Sequence, residues 1–136
     1  MRTSLTVIIA LLTLFVISGC STATPKEVAE NSVKYLKEKK FDKYVDLVYF
    51  EEEVNGNKEL LKDKKESMRD LIQSKYNMSV QENGSIKNYS FIDEEVKDST
   101  ASVSLQIDYT SGKTDTQKVK LRKIPSGEWR IDFNTK

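Results

Sequence analysis

The chain of 136 residues carries 22 Lys plus Arg against 21 Asp plus Glu, a single cysteine and no histidine. These counts exclude Ser-His-Asp and Cys-His catalysis, His-containing zinc sites, an imidazole pH switch, an intrachain disulfide and CxxC chemistry. Any catalysis would rest on carboxylates, lysines, tyrosines and hydroxyls, too common in a chain that is 32% charged to mark a site by themselves.

At the N-terminus, Arg2 precedes an apolar stretch from Leu5 to Ile17 broken only by Thr6 and Thr13. That stretch falls short of the about 20 apolar residues of a transmembrane helix. It has the layout of a signal peptide. It ends in Val16-Ile17-Ser18-Gly19-Cys20, which resembles the bacterial lipobox. Small Ser18 and Gly19 admit the backbone to a peptidase groove, and the Cys20 thiol accepts a diacylglyceryl group. The expected division is a lipoprotein leader over 1–19, cleaved between Gly19 and Cys20, a lipidated cysteine and short linker over 20–24, and a domain over 25–136. Several acyl chains on Cys20 would attach the protein to a membrane, each buried methylene contributing ~0.8 kcal/mol. Ser21, rather than Asp, after the cysteine points to the outer membrane of a Gram-negative cell envelope. Cleavage removes Arg2 as the only charge and leaves a formally neutral chain. Nothing in its charge draws it to nucleic acid, and Lys37-Glu38-Lys39-Lys40 and Lys62-Asp63-Lys64-Lys65 read as solvated helix faces.

Thr24-Pro25-Lys26-Glu27 is a helix start: Thr24 caps, Pro25 suits the first helical position and Glu27 completes a capping box. Val28, Ala29, Ser32, Val33 and Leu36 follow at helical spacing, predicting a first helix to about Lys39. Phe41, Tyr44, Val45 and Val48 repeat the pattern in a shorter second helix. Glu51-Glu52-Glu53 and Asn55-Gly56-Asn57 read as a loop. A third helix is predicted over about Lys58 to Tyr76, with Leu60, Leu61, Met68, Leu71, Ile72 and Tyr76 on one side.

From Ser85 the period falls to two. A first strand over about Ile86 to Val96 leads through Lys97-Asp98-Ser99 to Ala101, Val103, Leu105, Ile107 and Tyr109, which alternate with polar residues. Val119 and Leu121 mark a third strand, and Trp129, Ile131 and Phe133 a fourth, joined by Thr110-Ser111-Gly112-Lys113 and Pro125-Ser126-Gly127 turns. Helices followed by strands predict an α+β fold, with N-terminal helices packed on a curved antiparallel four-stranded meander.

Several of these segments carry a family resemblance: the lipobox, Pro25-Lys26-Glu27-Val28, Lys39-Lys40-Phe41-Asp42, Asp46-Leu47-Val48-Tyr49-Phe50, and the hairpin from Lys120-Leu121-Arg122-Lys123 to Gly127-Glu128-Trp129-Arg130-Ile131-Asp132. Together they look like the DUF4878 family of small bacterial lipoproteins. The resemblance implies a cone of the NTF2-like and cystatin-like kind, with lumazine-binding-like relatives, and implies no catalytic residues. NTF2-like enzymes that use Asp, Tyr and His in the cone mouth are matched only in part, since this chain has no histidine.

Candidate pocket-lining residues are Tyr35, Tyr49, Tyr76, Tyr89 and Tyr109. Their phenols could supply the few polar contacts of a ligand cavity, or their rings could pack in the core with hydroxyls at the rim. Trp129 is expected in the core, and Asp108 and Asp132 facing solvent. The sequence supplies no catalytic set, no metal-ligand spacing and no cofactor motif. Two functional readings result: a non-enzymatic module that meets an envelope protein partner, or a cone that binds a small molecule or is weakly enzymatic. They part on whether the space between first helix and sheet is filled or holds a cavity of ~300 Å³ or more.

Overall fold

The computed structural model describes residues 23–134; the leader, Gly19 and Cys20 lie outside the described residues. Helix α1 spans Pro25–Lys37, with the Thr24 hydroxyl accepting the Glu27 N–H at 3.2 Å and donating to the Glu27 carboxylate at 3.2 Å. It ends two residues before Lys39 because Lys39 takes a left-handed conformation, φ 59°. The Lys39 and Lys40 N–H groups then close back on the Leu36 and Tyr35 carbonyls at 3.1 and 2.8 Å, a Schellman closure on a non-glycine residue.

Helix α2 is only Phe41–Val45, and Val48, expected on it, instead forms a parallel bridge with Ile131. The Tyr49 N–H donates to the Ile131 carbonyl at 2.8 Å, and the Ile131 N–H to the Leu47 carbonyl at 2.7 Å, so the segment covers one margin of the sheet. Part of the expected acidic loop winds into a helical turn, α3, Glu52–Asn55. Helix α4 runs Lys58–Asn83, well past Tyr76, with the Asn57 side chain accepting the Leu60 N–H at 3.1 Å. Of its apolar side only Ile72 and Tyr76 are fully buried, while Leu60 and Leu71 face solvent.

Strands β1 (Ile86–Val96), β2 (Thr100–Tyr109), β3 (Thr114–Lys123) and β4 (Trp129–Ile131) form an antiparallel sheet in the order β1-β2-β3-β4. Two irregularities in β1, at Ile86/Asn88 and Phe91/Asp93, break its register with β2. Such bulges bend a strand and increase its twist, which lets a sheet curl around a helix. Ala101, Val103, Leu105 and Ile107 alternate inward, and with Val119, Leu121, Trp129 and Ile131 they meet Val28, Ala29 and Val33 of α1.

The last strand departs from the sequence expectation. Asp132 is buried rather than solvent-facing: Arg122 Nε donates to its Oδ2 at 3.0 Å, and the Arg122 guanidinium lies 4.7 Å over the ring of Tyr49. The Asp132 Oδ1 accepts the Asn134 N–H at 2.9 Å, a local turn just past the end of β4. Phe133, expected inside, is accordingly 51% exposed.

Candidate functional site: a half-open tyrosine cavity

The space between α1, α4 and the sheet is not filled. A half-open cavity of about 320 Å³ lies there, at the lower end of the range for ligand pockets. Its walls follow from the periodicities already described. Helical spacing turns Ser32, Val33 and Leu36 of α1, and Ile72, Tyr76 and Ser79 of α4, to one side each, while β2 and β3 supply Ile107 and Val119. Tyr44 from α2, Tyr109 from β2 and Phe133 beyond β4 complete it.

The lining is mainly apolar, with a few polar groups: the phenols of Tyr44, Tyr76 and Tyr109, the hydroxyls of Ser32 and Ser79, the Gln117 amide and the Lys75 ammonium. No carboxylate is among the lining residues. The Ser32 hydroxyl is buried and donates to the Ala29 carbonyl at 2.6 Å. Ser79 accepts from Asn83 Nδ2 at 3.4 Å. Burial pushes the Tyr44 phenol up to about 12. Tyr76 is raised as well, first by burial and then by neighbouring Tyr109, against a hydrogen bond with the Ile86 backbone. The upward shifts keep the Tyr44 and Tyr76 phenols neutral, so they can donate to a ligand acceptor.

Of the five tyrosines named from the sequence, Tyr76 and Tyr109 stand in this cavity. The other three stand elsewhere. Tyr35 has the Lys43 ammonium 5.9 Å from its ring, Tyr49 lies under Arg122, and Tyr89 sits on β1, its phenol raised by burial and by Glu30 and Glu38 of the α1 segment. Tyr44, Lys75 and Gln117 were not singled out by the sequence. Tyr44 carried a helical signal, but Lys75 and Gln117 carried none, being polar residues on elements whose orientation only packing decides.

A second hollow between α2 and α4 is a charged groove spanned by the exposed Lys65–Asp46 pair at 3.2 Å, with Val45 and Leu61 its apolar lining. It is more open to solvent than the first. Among the described residues no three acidic or thiol side chains gather as metal ligands, and no described helix is long and apolar enough to cross a membrane.

A family model described as a domain of unknown function, DUF4878, matches residues 18–132. No curated protein matches the chain. Among solved structures, an NTF2-like protein of Campylobacter jejuni, provisionally named a transpeptidase, superposes with a TM-score of 0.64 at 12% identity, covering 82% of this chain and 100% of the other. A SEC-C motif containing protein of Rhodopseudomonas palustris gives 0.53 at 16% identity, over 85% of this chain and 81% of the other. At such identities the likeness is one of fold, and the fold is NTF2-like.

Proposed function

We propose a function from one premise: the chain belongs to the DUF4878 family, a domain of unknown function, here on an NTF2-like fold. Its domain is a non-enzymatic module that binds a small, mainly apolar ligand in the Tyr44–Tyr76–Tyr109 cavity, held in the cell envelope by a lipid on Cys20. The observation that carries the binding reading is the half-open cavity of about 320 Å³, apolar except for phenols, hydroxyls, one amide and one ammonium. That balance is what ligand pockets show, a greasy wall with a few polar groups that set orientation. Lys75 favours a ligand with an acceptor or anionic group at one end.

The absence of transformation rests on the lining. The cavity offers neither a carboxylate nor an imidazole, the commonest general bases, and burial keeps the Tyr44 and Tyr76 phenols protonated. The transpeptidase name of the Campylobacter protein does not carry over on these residues. Ser32 spends its proton on a backbone carbonyl, the Ser79 hydroxyl accepts from the Asn83 amide, and Cys20 is taken by lipid in this reading. The anchor itself is supported by the placement of the chain's one cysteine at the end of the leader.

The test uses 1-anilinonaphthalene-8-sulfonate, a flat aromatic anion, as probe. Stoichiometric 1:1 binding is expected, weakened at least tenfold by Ser79→Trp, which fills the cavity from a half-buried position on α4 at unchanged thermal midpoint. Absent binding, or equal binding by the variant, overturns the reading.

A further inference from the structure

The structure leaves a patch of large apolar side chains uncovered on the margin of the sheet. Phe91, Ile92 and Val96 of β1 are 38%, 47% and 50% exposed, and among the described residues β1 is an outer strand with no neighbour on its far side. Phe91 pairs with Leu105 and Val96 with Ala101, both inward-facing, so Phe91 and Val96 project on the face that α1 covers. Ile92 is the extra residue of the bulge between Phe91 and Asp93, turned out of the regular pleat.

The patch sits at the end of the molecule where α1 begins. Lys26, in the first turn of α1, holds its ammonium 4.7 Å from the centre of the Phe91 ring. Later residues, Glu30 and Glu38, act on Tyr89. The helix therefore enters from the Val96 side and runs toward the start of β1. Even fully extended, the five residues from Cys20 to Pro25 reach only ~17 Å. A lipid on Cys20 would thus hold this end of the domain against the headgroups.

We infer that Phe91, Ile92 and Val96 form a membrane-docking surface that inserts into the interfacial region of the bilayer beside the anchor. The inference rests on the proposed lipidation of Cys20. Its partner chemistry is the lipid interface rather than anionic headgroups. Glu94, paired with inward-facing Val103, stands between Phe91 and Val96 with its carboxylate exposed, and with Asp93, Glu95 and Asp98 it outnumbers Lys26 and Lys97, so apolar side chains supply the contact and anionic lipid adds no attraction. The Lys26 ammonium, 4.7 Å over the Phe91 ring, would sit at headgroup level when that ring enters the interface. Docking would fix the orientation of the domain on the membrane, where a lipid tether alone leaves it free to tumble.

The test uses the full chain, purified with its native lipid and placed in phosphatidylethanolamine vesicles with and without phosphatidylglycerol. Because Cys20 is acylated, a nitroxide reacts only at a cysteine introduced by Ile92→Cys, by Val96→Cys, or by Thr116→Cys on the exposed start of β3. Collision with oxygen against a water-soluble nickel chelate reads the depth of each label. Labels at 92 and 96 are expected to favour oxygen at least threefold over the label at 116, in both lipid mixtures. Equal water exposure of all three labels, with lipid mass present on the Cys20 peptide, overturns docking and leaves the anchor standing. Labels at 92 and 96 that are immobilised and closed to both reagents mean a protein strand on β1, and also overturn it. Absence of lipid mass with the protein in the supernatant overturns the anchor, and docking with it.

Discussion

Burial acts more strongly on the Tyr44 phenol than on those of Tyr76 and Tyr89. Tyr44 is 8% exposed, and burial pushes its phenol up to about 12. The charged form is penalised in the folded state and free in the unfolded one. The stability tied to the neutral phenol is therefore complete below the unfolded value near 10 and is lost as pH rises through about 12. Urea unfolding of the wild type should lose on the order of 2–3 kcal/mol between pH 10 and pH 12 relative to Tyr44→Phe. Parallel curves for the two proteins would mean that Tyr44 is not buried as described. Lys39 is the opposite kind of residue, exposed but strained, a side chain at φ 59° where glycine normally ends a helix. Lys39→Gly should raise the unfolding free energy by about 0.5–1 kcal/mol, the relief of the left-handed penalty being partly offset by a freer unfolded chain. A loss of stability in the same urea experiment would place the Lys39 side chain in contacts that matter more than its backbone.

At the scale of elements, the junction of α4 and β1 carries the sharpest requirement. Gly84 caps α4 at φ 83°, and a Cβ there would collide with the Thr110 hydroxyl and come within 3.1 Å of the Ser111 nitrogen. The hydroxyl has little room to yield, because it accepts the Ser85 N–H at 3.0 Å. Gly84→Ala should cost about 2–3 kcal/mol in equilibrium unfolding, combining backbone strain with the displaced contact. Helix α4 also shows how far periodicity reaches. Its existence and start were legible, since the Asn55-Gly56-Asn57 loop precedes it and Leu61, Met68, Ile72 and Tyr76 recur on one side. Its length was not. Past Tyr76 the stripe thins to Val80, half-buried, and the helix continues because Met, Gln and Glu favour it until Gly84 stops it. Val48 was assigned to a helix for the same local reason, though its bridge partner Ile131 lies far away in sequence. Hydrophobic spacing reports the period of a segment and is blind to a partner brought in by the rest of the fold.

On the whole-molecule scale the domain and its tether make separable claims. The anchor predicts that Cys20→Ala moves the protein from the membrane pellet to the soluble fraction of fractionated cells, with no change in the midpoint of unfolding. Retention of the variant in the membrane, with no lipid mass on the native protein, would refute it. By itself the sequence determined the order of elements, the α+β class, the inward face of β2, the core position of Trp129 and the absence of imidazole chemistry. These follow from local spacing and composition, which folding does not alter. Tertiary structure alone decided which tyrosines share a cavity, why Asp132 is buried and Phe133 exposed, and where the uncovered apolar residues lie relative to the start of α1. Each depends on contacts between elements far apart in the chain. The curl of the sheet around α1 and the position of α4 bring Tyr44, Tyr76 and Tyr109 to one space, and the Leu47–Tyr49 segment seals one margin of the sheet while, among the described residues, β1 is left open on the other.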